Sequence, residues 1–189
     1  MNTFILGYLI YIGTHFIREL FFRKGKEAKK IRLGVYGKYS SVFNGIYIIV
    51  LCLLPLILQY YNFGFVQINN FVGIFGIITM FFGILIHFVA IKTMGEFFTR
   101  TLMITKNHSI IKTGIYEKIR HPGYLGTILI GIGFGLSSNN WILMFVILIL
   151  LFFVYFYRII SEEKMLIKQF GKKYIDYQKN TWIIIPYIL

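Results

Sequence analysis

Charge is what this sequence has least of. Seven Asp and Glu stand against 20 Lys and Arg in 189 residues, and residues 39 to 91 and 121 to 157 contain no Asp, Glu, Lys or Arg. A soluble domain keeps charge on all its exposed faces, at about 25% of residues. Uncharged runs this long exclude that and require lipid around them. Cysteine is limited to Cys52, inside a hydrophobic run, so neither a disulfide framework nor a cysteine metal site can form within one chain. The four histidines, His15, His87, His108 and His121, have no paired ligand spacing, so no metal is expected. There is no Gly-x-Ser-x-Gly for a nucleophile elbow and no Gly-x-Gly-x-x-Gly after a strand. The glycines from Gly131 to Gly135 lie in a membrane stretch, where helix packing explains them.

What charge there is falls in three blocks. Eight Lys and Arg lie from Arg18 to Lys38, six from Lys92 to Arg120 and six from Arg158 to Lys179, and all seven acids lie within the same blocks. A net charge of +13 could suggest nucleic acid, but this placement is the positive-inside pattern of a polytopic protein, attracted to acidic lipid headgroups. The partners expected are membrane lipids and no nucleic acid.

The runs predict an all-α integral membrane fold of five spans in a single domain, residues 1–189. Residues 3 to 22 form a first span rather than a cleaved signal peptide, amphipathic in its second half at Thr14, His15, Arg18 and Glu19. Val42 to Tyr60, with a kink at Pro55, and Phe71 to Ile91, with Gly73, Gly76 and Gly83, follow. The 37 residues from His121 to Tyr157 make a tight helical hairpin turning at Ser137 to Asn140, its first arm rich in glycine. A polar helix from Ser161, as N-cap, to Asn180 carries a stripe of Leu166, Phe170, Tyr174 and Tyr177. With the basic blocks inside, the N-terminus is out and the C-terminus cytoplasmic. The bias toward Ile, Lys, Asn, Phe and Tyr suggests an AT-rich, bacterial genome, and hence the plasma membrane.

The stretch from Gly114 to Gly126 marks the reaction site. Pro122 fits the first position of a helix and pushes His121 toward an extended conformation, so Arg120 and His121 sit at a helix mouth whose N–H groups and dipole suit an anion. A snorkelling Arg and an interfacial His would satisfy the same residues. Arg158 and Glu162 share a face of a continuing helix. An ion pair between them is the simple outcome, and beside His121 the two would give a site with both charge signs, suited to a zwitterionic cofactor.

These elements carry a resemblance. From Lys92 to the end, the chain resembles the isoprenylcysteine carboxyl methyltransferase family, membrane enzymes that use S-adenosylmethionine. The matched elements are Met94-Gly95-Glu96, His108-Ser109-Ile110-Ile111, Gly114-Ile115-Tyr116, Arg120-His121-Pro122-Gly123-Tyr124 with Gly126, Arg158 with Glu162-Glu163, and Phe170-Gly171 with Tyr174 and Tyr177. The resemblance implies that residues 92–189 enclose S-adenosylmethionine, contacted by His108, Ser109, Ile110, Ile111, Tyr116, His121, Pro122, Gly123, Tyr124 and Glu162. It places Arg158 against the methyl acceptor, and Thr101 or a neighbour where some members carry a glutamine.

Residues 1–91 hold no family motif, and acceptor selectivity is expected there. A carboxylate acceptor would be steered by Arg158. A phenolic or enolic hydroxyl would need its proton removed, for which Glu163 or a tyrosine is the candidate. The acceptor expected is a lipophilic small molecule or lipid-modified group. Two other classes compete: a nicotinamide-dependent reductase of the sterol reductase type, which shares the His-Pro-x-Tyr and Tyr-x-x-Tyr elements but carries more spans, and a non-enzymatic membrane subunit.

Overall fold

The computed structural model describes residues 3–24, 30–31, 34–65, 70–98, 104–105 and 109–186. Five long helices, α1 (Thr3–Lys24), α2 (Gly34–Tyr60), α3 (Asn70–Met94), α4 (Pro122–Ser137) and α5 (Trp141–Phe170), precede a short α6 (Lys172–Lys179), with 3-10 turns at Gly95–Phe97 and Gly114–Glu117. The extended pairing among the described residues is two residues long: β1 (Lys30–Ile31) runs antiparallel to β2 (Ile104–Thr105) and ties the first basic block to the second. Lipid leaves backbone polar groups no partner but the helix itself. The uncharged runs therefore fold as helices.

The burial pattern is inverted relative to a soluble protein. On α3 the buried positions are Gly73, Gly76, Met80, Gly83, His87 and Ala90, while Phe71, Phe75, Phe81, Phe82 and Phe88 stand exposed. On α5, Phe145, Phe152, Phe153 and Phe156 are likewise exposed, against buried Leu143, Ile147, Leu151 and Tyr155. In water, continuous aromatic faces of this size would be an aggregation site. Against acyl chains they are the expected outer surface, and the chain is a membrane protein.

By length and composition, α3 and α5 can each cross a bilayer. The apolar part of α2, Gly45–Tyr60, and α4 are shorter. The 16 residues of α4 span about 24 Å, less than a hydrocarbon core of about 30 Å. Of the five spans expected, two thus meet the requirement on their own.

The helices meet through glycine. A Cβ at Gly76 would lie 2.6 Å from the Gly133 carbonyl oxygen, and one at Gly83 2.6 Å from that of Gly126. Both pairs are seven residues apart along their helices, so α3 and α4 touch backbone to backbone along two turns. At the end of this seam, Asn140 holds the hairpin turn. Its Oδ1 accepts from the Leu143 N–H at 3.0 Å as the cap of α5, and its Nδ2 donates to the Phe63 carbonyl at 2.8 Å.

Two expectations are corrected. Ser161 caps nothing: it is buried within α5, which runs unbroken to Phe170. Nothing from Tyr157 to Ser161 interrupts a helix, and the break comes at Gly171, whose φ of 56° ends α5 and starts α6. The second helix, expected from Val42, begins earlier, at Gly34.

Candidate functional site

Pro122 occupies the first turn of α4, and His121 before it takes φ −123°, ψ 55°, as a residue preceding proline must leave the helical region. The chain returns to this point from its far end. The N–H groups of Arg120 and His121 donate to the carbonyls of Trp182 and Ile183 at 2.8 and 3.0 Å, and the Trp182 N–H donates to Lys118 at 2.9 Å. A strap after α6 thus pairs with the approach to α4.

Arg120 ties this strap to α5. Its Nε donates to Glu163 Oε1 at 2.7 Å, and its Nη1 donates to the carbonyls of Gln178, at 3.0 Å, and Thr181. Glu163 also faces His121 Nε2 at 3.3 Å and accepts from Gln178 Nε2 at 3.0 Å. Burial pushes the Glu163 carboxyl up, but the hydrogen bonds from His121 and Arg120, with their charges, more than offset this and hold it below the usual carboxylate range. Glu163 lies past Arg158, where α5 has left its uncharged stretch.

The other nitrogen of His121 looks the opposite way, with Nδ1 3.7 Å from Glu162 Oε2. Its ring stacks on Tyr124, centroids 5.3 Å apart and planes within 5°. The Tyr124 hydroxyl donates to Glu162 Oε2 at 2.5 Å and accepts from Arg158 Nε at 3.3 Å. The Arg158 guanidinium lies over the same ring, 5.4 Å from its centroid. Tyrosine therefore bridges the acid and the base of the α5 turn. The result is a polar centre with an imidazole, two carboxylates and a buried guanidinium, between the N-terminal end of α4 and the C-terminal third of α5.

The structure brings together His121, Tyr124, Arg158, Glu162 and Glu163, with Pro122 and Gly123 buried beneath them. Tyr116 lies to one side: its hydroxyl donates to the Ala90 carbonyl at 3.4 Å, while its own carbonyl accepts from the Tyr177 hydroxyl at 2.6 Å. Burial pushes the Tyr177 phenol up to about 12 against the pull of Arg120, so it keeps the proton it donates. Ser109 is exposed and Ile110 and Ile111 are half-buried, and the hydrogen bonds and ring contacts described above for the cluster run to other residues. His108 and Thr101 lie outside the described residues.

The helix mouth is less open than the sequence suggests, since the Tyr124 and Leu125 N–H groups both donate to the His121 carbonyl. Sequence reasoning missed Gln178 and Thr181. Tyr177, within the aromatic stripe, was the one nearby signal.

Residues 76–168 match the Isoprenylcysteine carboxyl methyltransferase (ICMT) family. The chain is 38% identical over 113 residues to a protein-S-isoprenylcysteine O-methyltransferase of Dictyostelium discoideum, covering 59% of this chain and 48% of that one. It is 33% identical to the Saccharomyces cerevisiae protein of the same name, covering 53% and 43%. With protein-S-isoprenylcysteine O-methyltransferase A of Arabidopsis thaliana it shares 26% identity, over 74% of this chain and 72% of the other. The chain spans about half the length of the first two relatives. The fold matches that of the eukaryotic intramembrane Ras methyltransferase ICMT with a TM-score of 0.60 at 22% identity, over 82% of this chain and 55% of that one.

Proposed function

We propose, from the match of residues 76–168 to the isoprenylcysteine carboxyl methyltransferase family, that the chain is an integral membrane methyltransferase of that family. It moves the methyl group of S-adenosylmethionine to a lipophilic acceptor, of which the prenylated cysteine named for its relatives is the leading class. Residues 92–189 hold the cofactor, and residues 1–91 serve the acceptor. The three basic blocks face the cytoplasm, with the N-terminus outside, and in a bacterial cell the membrane is the plasma membrane.

The observation that carries this reading is the bridge from Arg158 through the Tyr124 hydroxyl to Glu162. It fixes a guanidinium and a carboxylate one helical turn apart. The donor set fits the cofactor: a half-buried carboxylate beside the stacked faces of His121 and Tyr124 suits ammonium and sulfonium, and the Arg158 cation suits a carboxylate. S-adenosylmethionine would be held by His121, Tyr124 and Glu162, with the His108 to Ile111 segment and Tyr116 alongside, and it supplies an electrophilic methyl group.

The protein's own residues supply orientation and exclusion of water rather than a nucleophile. Arg158 turns an acceptor carboxylate toward the site. Glu163, with three donors on its carboxylate, is placed to hold His121 and Arg120 and not to remove a proton.

Calorimetric binding of S-adenosylmethionine and S-adenosylhomocysteine to the detergent-purified protein tests the reading, with NADPH as comparator. Micromolar binding of both adenosyl compounds, lost in His121→Ala and Glu162→Ala, is expected. Retained binding in both variants overturns the site, and no binding by folded wild-type protein overturns the function.

A further inference from the structure

A histidine from the half of the chain that carries no family motif reaches the mouth of α4. His87 stands in α3, 6% exposed, and its Nδ1 lies 2.9 Å from the Gly123 carbonyl oxygen. A carbonyl only accepts, so Nδ1 carries a proton and donates it. The Thr127 hydroxyl donates to the same oxygen at 3.0 Å, which uses its own proton. Nε2, on the far side of the ring, is buried without a hydrogen-bond partner among the described residues.

The imidazole is clamped. Its backbone is held where α3 and α4 come closest: a Cβ at Gly126 would lie 2.7 Å from the His87 backbone nitrogen and 2.8 Å from its Cβ. Phe98, just past the end of α3, meets the ring edge to face, with centroids 5.8 Å apart and planes at 89°. The same Phe98 ring closes on α4, 3.2 Å from where a Gly123 Cβ would be.

Fold stability does not account for a histidine at this place. In a helix the Gly123 carbonyl already accepts the N–H four residues on, and the Thr127 hydroxyl is a second donor. The orphaned Nε2 carries a desolvation cost that an apolar side chain of similar size would not.

What the third donor fixes is a direction. The Gly123 carbonyl belongs to the planar peptide unit that leads into Tyr124. Holding its oxygen from α3 holds that plane, and with it the line along which the Tyr124 side chain leaves the helix. Helix ends fray, and this is the first turn of α4. The Tyr124 hydroxyl has to meet Glu162 Oε2 at 2.5 Å and Arg158 Nε at 3.3 Å while its ring stays parallel to that of His121. Side chains in such a constellation must be kept within about 0.5 Å and about 10–20° of their working geometry.

We propose that His87 is a positioning residue for the cofactor site: through its Nδ1 bond to Gly123 it sets the first turn of α4, so that Tyr124 bridges Arg158 and Glu162 and stacks on His121. That the site holds S-adenosylmethionine rests on the methyltransferase reading. The hold of His87 on Tyr124 does not.

The test is a double-mutant cycle of His87→Leu with Tyr124→Phe in the full chain in detergent, read by S-adenosylhomocysteine affinity and by melting temperature. His87→Leu alone should weaken S-adenosylhomocysteine about tenfold. His87→Asn, whose amide nitrogen can stand where Nδ1 stands, should remain within about threefold of wild type. In the Tyr124→Phe background, His87→Leu should weaken binding by no more than about threefold further, because the hydroxyl it serves is gone. The fall in melting temperature caused by Tyr124→Phe should likewise be less than about half as large in the His87→Leu background. Where His87→Leu does not fold, His87→Gln takes its place, since its amide reaches the position of Nε2 rather than Nδ1.

Wild-type affinity in the Leu or Gln variant, an Asn variant as weak as either, or losses that add across the cycle overturn the proposal. Failure of folded wild-type protein to bind S-adenosylhomocysteine, with the melting-temperature cycle still non-additive, overturns the methyltransferase reading and leaves the positioning role standing. An additive melting-temperature cycle in that case overturns both.

Discussion

Arg120 Nε and Glu163 Oε1 meet at 2.7 Å with side chains 7% and 16% exposed, joining the residue before the α4 mouth to the turn of α5 that follows Arg158. Because the same guanidinium holds two carbonyls of the C-terminal strap, its loss strands an acid and two backbone acceptors at once. Arg120→Met is expected to cost about 3 kcal/mol and to lower affinity for S-adenosylhomocysteine, because His121 shares both the strap and Glu163. Thermal unfolding in detergent, with calorimetry on the folded fraction, checks both effects.

The Tyr124 hydroxyl can be removed without removing its ring. Tyr124→Phe keeps the stack on His121 but breaks the link between Arg158 and Glu162. A stability loss of about 1–2 kcal/mol is expected, with a larger proportional loss in S-adenosylhomocysteine affinity. An affinity within twofold of wild type would show that the bridge does not organise the site.

Glu163 gives the protein an acid-sensitive clasp. Its carboxyl is held below its ordinary value in the folded state, so it binds a proton less readily when folded than when unfolded. The clasp therefore contributes its full stability above the unfolded carboxylate value of about 4.3 and loses it as pH falls through the lower folded value. The melting temperature should drop on acidification below about pH 5. In Glu163→Gln, which is destabilised at neutral pH, that drop should be smaller.

Much of this was legible in the sequence, for a physical reason. Lipid forces helices on uncharged runs, so Phe71 to Ile91 and the hairpin turn at Ser137 to Asn140 could be placed to within a few residues. Glycines at Gly76, Gly83, Gly126 and Gly133 announced close packing because a side chain there would block it. Ser161 misled because a capping residue signals a start only where the preceding helix has stopped. The role of Arg120 was hidden: two of its partners are backbone carbonyls 58 and 61 residues away, and a carbonyl leaves no mark in a sequence.

The glycine seam makes the sharpest prediction about packing, because the fold contains its own control. A Cβ at Gly83 would meet the Gly126 carbonyl oxygen and the Ile130 nitrogen at 2.6 and 2.8 Å, both backbone atoms that side-chain rotation cannot clear. At Gly13 in α1 a Cβ meets nothing within 4 Å. Gly83→Ala should therefore force α3 and α4 apart, costing about 2 kcal/mol or more. Gly13→Ala should be neutral or stabilising by up to about 1 kcal/mol through helix propensity. Detergent unfolding of the two variants side by side measures the difference. Equal effects would mean that the helices can separate at no cost, and that the small residues along the seam are not what fixes the His87 end of α3 against the mouth of α4.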